Sequence, residues 1–307
     1  MSSTLKKGIY FAFLTAFISG ISNFVNKIAV DAIKPPLVFT AEKNALVGLL
    51  ILGILTITWK WKKFRNLTGK QILYLVLIGI IGGSLPFYLF FTGLSQIPAI
   101  NGAIINKTLV IWVAILAVPF LKEKISPLQI AAVLLLFYSN LIIGGFTKFK
   151  FSQGELFVLL ATLLWAVEHV LAKKILPAVD PDIVTGARMG FGSLILLVAA
   201  AISAPTALVR SLDTSSTQTF WMMTTVVLLL GYVTAWYRAL KFAPVTVVAS
   251  ILVSATLITN VLSAIFVTHV WNIQLGAQAF LTVVGVVILC LTVAKTRPSR
   301  TLSYEKS

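Results

Sequence analysis

Two short stretches, FTGLSQIPAINGAI at 91–104 and YRALKFAPVTVVAS at 237–250, lie 146 residues apart. In each, an apolar run breaks at a tight turn and resumes after a proline. Leu94 aligns with Leu240 and Pro98 with Pro244. Proline suits the first turn of the helix that follows, where its missing N–H has no partner to lose. The same shift extends outward from these turns. Gly8 matches Gly154, Phe11 matches Phe157, Lys27 matches Lys173, Pro35 matches Pro181 and Ala41 matches Ala187. On the far side Leu116 matches Leu262 and Phe120 matches Phe266. Apolar matches alone carry little weight, but two prolines and a lysine at one unbroken shift indicate an internal duplication.

Composition says what is duplicated. The chain has 307 residues, 58% hydrophobic and 11% charged, with mean hydropathy +0.98. Soluble domains carry about 25% charged residues, so the main solvent here is lipid. A bilayer core of about 30 Å needs roughly 20 apolar residues in a helix. Ten segments qualify: 8–29, 36–58, 71–94, 98–120, 126–145, 154–175, 182–203, 219–240, 244–268 and 273–294. The fold class is an all-α polytopic membrane protein. The first repeat is placed at 1–147, the second at 148–296 and a tail at 297–307. The basic, apolar N-terminus lacks a clear cleavage site and is read as a retained first helix.

Five spans per repeat is an odd number, so the second repeat must lie inverted relative to the first. Inverted repeats are typical of secondary transporters, with the binding site between the repeats near the midplane. Basic residues in loops set orientation. With both termini in the cytoplasm, sixteen of the 25 Lys and Arg fall in inner segments and four in outer loops. Lys148 and Lys150 form a local exception. The formal charge of +16 is thus read as loops facing an anionic leaflet, and no nucleic-acid partner is expected.

Ionisable side chains deep in a bilayer cost about 2.5–3.5 kcal/mol on insertion scales and face a protein interior or watery cavity. In the first span, Ser19, Ser22, Asn23 and Asn26 form a polar stripe at helical spacing. The 146-residue shift maps them to Trp165, Glu168, His169 and Ala172. Glu168 and His169 are therefore expected to face a cavity, where Glu168 binds a substrate cation or carries a proton and His169 titrates beside it. A structural ion pair of Glu168 with Lys107 or Lys43 is the other reading. Asn106 and Lys107 lie mid-span, where snorkelling fails; Lys107 binds a substrate carboxylate or phosphate, or pairs with Glu168 or Glu42. Asn101 and Thr108, seven residues apart, share a face with each other and are further cavity candidates. The expected substrate contacts are Asn23, Asn26, Asn101, Asn106, Lys107, Trp165, Glu168 and His169, with Glu168 and His169 also serving proton coupling. Glu42 is expected to pair with Lys27, and Arg188 and Arg238 to snorkel toward helix ends.

The stretches LFFTGLSQIPAINGAI (89–104), VPFLKEKISPLQIAA (118–132), AWYRALKFAPVTVVASIL (235–252) and PDIVTGAR (181–188) resemble the drug/metabolite transporter superfamily, in its EamA family. The resemblance covers nearly the whole chain. It implies a plasma-membrane carrier of small metabolites, often an exporter of amino acids. It also implies a central cavity built from the first four helices of each repeat, with the fifth and tenth as buttresses or as a homodimer contact. Two departures stand out. His269 occupies the place where the second repeat would carry its turn glutamate, and Glu42 stands opposite Arg188 in the shift.

No cofactor or metal is expected. Two histidines a hundred residues apart make no metal site, and neither a metalloprotease motif nor a glycine-rich phosphate loop is present. No nucleophile motif supports an enzyme. The remaining alternative to a carrier is a channel or lipid scramblase.

Overall fold

The computed structural model describes residues 2–32, 35–144, 151–211 and 213–295. The Lys148 and Lys150 pair, Lys34 and the 297–307 tail lie outside them. The helices are α1 Ser3–Ala32, α2 Pro36–Ile57, α3 Gly69–Gly83, α4 Leu85–Leu94, α5 Ala99–Lys107, α6 Leu109–Leu121 and α7 Pro127–Gly144 in the first repeat. The second repeat holds α8 Gln153–Ile175, α9 Pro181–Ser203, the short α10 Pro205–Arg210, α11 Ser216–Phe242, α12 Val245–Leu252, α13 Ala255–Ser263 and α14 Ile273–Lys295. Among the described residues nine helices or helix pairs are long and apolar enough to cross a membrane, and Pro127–Ile143 is a shorter apolar one.

Helix starts follow from local chemistry. Thr68, Ser152 and Ser215 each close a capping box, with Gln71, Glu155 and Gln218 three residues on. Each box satisfies donors that a helix N-terminus leaves open. Pro36 and Pro181 are the first residues of α2 and α9, one position out of the 146-residue register.

Three expected spans are broken in mid-course. The third breaks at Ser84, whose hydroxyl donates to the Ile80 carbonyl at 2.9 Å, with Pro86 two residues on. The fourth breaks at Thr108 and the ninth at Val253–Ser254. Thr108 donates to Ile105 O and Ser254 to Ile251 O, both at 2.6 Å. These pairs obey the 146-residue shift, so the duplication preserved the break itself. A hydroxyl bonding back three residues competes with the helical ladder, and irregular backbone at membrane depth is tolerated only when protein or a cavity satisfies it.

One local difference separates the repeats. A π-turn at Ala264–Thr268 inserts a residue before the turn into α14. The left-handed turn residue is Lys122 (φ 54°) in the first repeat and His269 (φ 52°) in the second. His269 thus matches Glu123 in sequence register but Lys122 in backbone conformation.

The repeats interlock. α1 packs on α11, α12 and α13, while α8 packs on α3, α4, α5 and α6. Each repeat's opening helix is held by the third and fourth spans of the other. α2 pairs with α9 and α7 with α14. The last pair joins through a Thr282–Ser139 hydroxyl bond of 3.1 Å and through Gly285 against Leu136. That leaves outward apolar faces with Leu134, Tyr138, Val287 and Leu291. α1 begins and α14 ends at the proximal end of the bundle; the turns after α4 and before α14 mark the distal end.

Candidate functional site

Glu168 on α8 is fully buried. Its Oε1 accepts a 2.6 Å hydrogen bond from the Tyr237 hydroxyl of α11. Its Oε2 lies 3.6 Å from His169 Nε2, so neighbours roughly 100° apart around a helix are drawn together here. The His169 ring lies against Trp236, with centroids 4.5 Å apart. Trp165 Nε1 and Arg188 Nε both donate to the Gly82 carbonyl at 3.3 Å. Arg188, on α9, also interacts electrostatically with Glu168, Tyr237 and Tyr232.

Glycine permits this approach. A Cβ at Gly82 would sit 2.4 Å from Glu168 Cγ, and one at Gly83 would sit 2.3 Å from the Arg188 carbonyl oxygen. Among the described residues, Glu168 Oε2, His169 Nδ1, Arg188 Nη1 and Trp236 Nε1 have no hydrogen-bond partner. Unpaired buried polar atoms cost about 1–3 kcal/mol each, so four in one cluster make this the candidate site.

The other expected contacts do not converge on Glu168. Lys43 donates to Asn26 Oδ1 at 3.2 Å and lies over the Phe39 ring. Asn26 in turn donates to Ser22. Lys107 donates to the Asn140 carbonyl at 3.1 Å, because α5 ends beside α7. The expected pairing of Lys107 or Lys43 with Glu168 is therefore corrected: the cation next to Glu168 is Arg188. Asn101 donates to Glu155 at 2.9 Å, at the α8 capping box. Asn106 is half-buried next to Lys107. Glu42 accepts from Ser211 rather than from Lys27, which is exposed. Arg238 does lie toward the helix end, where it meets Asp182 at 2.7 Å.

The opening helices of the two repeats differ along equivalent rows. On α1, Ala12 and Ala16 are buried, Ser19 is half-buried, and Asn23 and Lys27 are exposed. On α8, Val158, Thr162 and His169 are buried, while Trp165 and Lys173 are half-buried. One face opens progressively toward the distal end. Its counterpart stays covered down to the proximal end.

The EamA-like transporter family matches the chain twice, over residues 6–145 and 152–291. The chain belongs to this family. It is 26% identical over 232 residues to an uncharacterized transporter of Synechocystis sp., covering 72% of this chain and 64% of that protein. It is 30% identical over 166 residues to an uncharacterized transporter of Bacillus subtilis, covering 52% of this chain and 53% of that one. The chain thus spans less than two thirds of the length of these relatives. A crystal structure described only as that of a protein superposes with a TM-score of 0.77 at 14% identity, over 98% of this chain and 99% of that one, which shows the shared fold.

This EamA-like protein closes its proximal end with charge. Glu123 accepts from Val245 N at 2.8 Å, Thr246 N at 3.3 Å and the Thr246 hydroxyl at 2.7 Å. Lys173 donates to the carbonyls of Leu240 and Ala243, both at 2.6 Å. Lys60 bonds Asp182, and Lys63 reaches Asp180 at 2.7 Å. The Asp182 carboxylate, through that hydrogen bond, raises the Lys60 ammonium above its usual range. Burial alone would raise Asp180, but Lys63, the Asp182 amide and Lys60 together hold it below the usual carboxylate range. The sequence singled out Glu168, His169 and Trp165. It missed Arg188, Tyr237 and Gly82, whose roles arise from contacts between distant helices.

Proposed function

We propose that the protein is a secondary-active transporter of small polar metabolites bearing an anionic group, such as amino acids, working by alternating access in the plasma membrane with both termini cytoplasmic. The observation that supports it is the unequal burial of equivalent rows on α1 and α8. Two copies of one element in two environments, one open and one covered, are what alternating access between inverted repeats requires. A channel must be open at both ends at once; the covered α8 row and the proximal charge contacts favour a carrier over a channel or scramblase.

Arg188 takes the anion-binding role first expected of Lys107, because its guanidinium is buried beside Glu168 and keeps an unused N–H. Glu168 carries the coupling proton, with Tyr237 and His169 holding its carboxyl. Asn23 and Asn26 lie on the open side and receive solute first. Export or exchange is the expected direction, and a homodimer would form through the outward faces of α7 and α14. Counterflow in proteoliposomes tests the reading: preloaded amino acids should drive saturable uptake of labelled substrate, with a pH response that Glu168→Gln removes. Non-saturating downhill flux, or an unchanged pH response in that variant, would contradict it.

A further inference from the structure

Five hydrogen bonds from two charged side chains hold the proximal end shut, three to Glu123 and two from Lys173. Glu123 sits on the α6–α7 turn and caps the N-terminus of α12. Lys173 sits at the end of α8 and binds the α11–α12 turn. Charge-assisted bonds of this kind are the strong ones, and a carboxylate at a helix N-terminus also meets the favourable end of the dipole.

The 146-residue shift says what the distal end would need in order to close the same way. Lys173 corresponds to Lys27, and its acceptors correspond to the carbonyls of Leu94 and Ile97. The amides of Val245 and Thr246 correspond to those of Ala99 and Ile100. Lys27 is present, exposed and positioned on the open row of α1. The turn that would supply the carboxylate reads His269, Val270, Trp271, Asn272, all before α14 begins. It contains no acid. Neither possible alignment across the π-turn changes this: sequence register puts His269 opposite Glu123, and the left-handed residue puts Val270 there. The hydroxyl of Thr246 has no counterpart either, because Ile100 stands in its place.

We infer that the two gates are unequal: Glu123 and Lys173 latch the proximal gate, while of this pair only Lys173 has a charged counterpart at the distal gate, Lys27, so the distally open state is the resting one. This rests on the alternating-access reading above and adds to it which residues set the bias between its two states. Lys27 swings onto the Leu94 and Ile97 carbonyls when the distal gate closes, as the proximal five bonds break. The distally closed state then holds two of the five equivalent bonds. A carboxylate placed in the His269 turn would supply more.

The test is pulsed electron spin resonance on the full chain in lipid nanodiscs, with Cys290 replaced by serine. Spin-label pairs at Ser95 with Ile273 report the distal gate, and at Lys124 with Lys241 the proximal gate. The parent should show a long distal and a short proximal distance. His269→Glu or Val270→Glu, both at exposed positions, should raise the distally closed fraction by about tenfold, the scale of one charge-assisted hydrogen bond. Glu123→Gln should raise the proximally open fraction similarly. The inference is overturned if neither glutamate variant moves the distal distances, whether or not Glu123→Gln folds. Counterflow on the same preparations separates the two ideas. Counterflow with unmoved distances removes the latch and leaves the carrier. Shifting distances without counterflow support the latch and remove the carrier.

Discussion

At the proximal end a glutamate and a lysine each reach a turn of the other half or of their own; at the distal end the equivalent lysine points into the open and the equivalent turn has no acid. The sequence repeat gives these two ends equivalent positions, so they can be compared residue by residue. At one end the chain closes on charge. At the other, Phe24 of α1 rests against Phe266 with ring centroids 6.2 Å apart, a contact that apolar surface alone sustains. Packing without directional bonds leaves a gate free to move, whereas buried charges that lose a partner resist separation.

The comparison breaks most visibly at the paired lysines. Lys173→Met should lower stability by about 3 kcal/mol, since two carbonyls lose a charged donor worth about 1.5–3 kcal/mol each. Lys27→Met should change it by less than about 0.5 kcal/mol, as exposed substitutions usually do. Thermal unfolding in detergent, read by size-exclusion recovery, compares them, and equal losses would erase the distinction between the ends. The centre common to both states is next. Gly82→Ala places a methyl in contact with the Glu168 side chain and should cost about 1–3 kcal/mol through overpacking, while Gly53→Ala, with nothing within 4 Å, should be neutral or slightly stabilising. The same unfolding assay reads this pair.

Smaller effects sharpen the contrast. Glu123→Gln keeps an acceptor but loses the charge at the α12 N-terminus, and should cost about 1 kcal/mol; His269→Gln should be silent. The smallest effect concerns pH. Asp180 has a lowered folded-state pKa, so its contribution is present above its unfolded value of 3.8 and fades as pH falls through the lower folded value. Lys60 has a raised one, so its contribution is complete below 10.5 and fades as pH rises through the higher folded value. The Lys60–Asp182 and Lys63–Asp180 pairs should therefore contribute evenly from about pH 5 to 9. Thermal stability of Asp180→Asn against the parent across that window should give a constant difference, and a difference that changes within it would count against these pairs.

Much of the architecture was legible because symmetry is a long-range signal. Apolar length placed the spans, their odd number per repeat gave the inversion, and one shift of 146 residues paired the α1 stripe with Glu168 and His169. The breaks at Thr108 and Ser254 were legible in principle, as hydroxyls at one shift within apolar runs, but a single Thr or Ser in a membrane helix carries too little information by itself. Arg188 was beyond reach for another reason. Seven residues into its helix, snorkelling is a sufficient explanation; the Gly82 carbonyl of α3, the Glu168 carboxylate of α8 and Tyr237 and Tyr232 of α11 hold it inside. Lys107 failed in the opposite sense: depth suggested an anion partner, and a backbone carbonyl of α7 satisfied it instead. Which of the equivalent residues are paired and which are exposed differs between the repeats in the structure, and the sequence shift alone does not distinguish them.

The most direct measurement is cysteine accessibility at equivalent sites. In a background with Cys290→Ser, Asn23→Cys and Lys27→Cys are compared with His169→Cys and Lys173→Cys, using a membrane-impermeant maleimide in sealed vesicles of both orientations. The account predicts that the α1 pair is labelled rapidly from one side and the α8 pair slowly from either. Equal labelling of the two pairs, or faster labelling of the α8 pair, would contradict it.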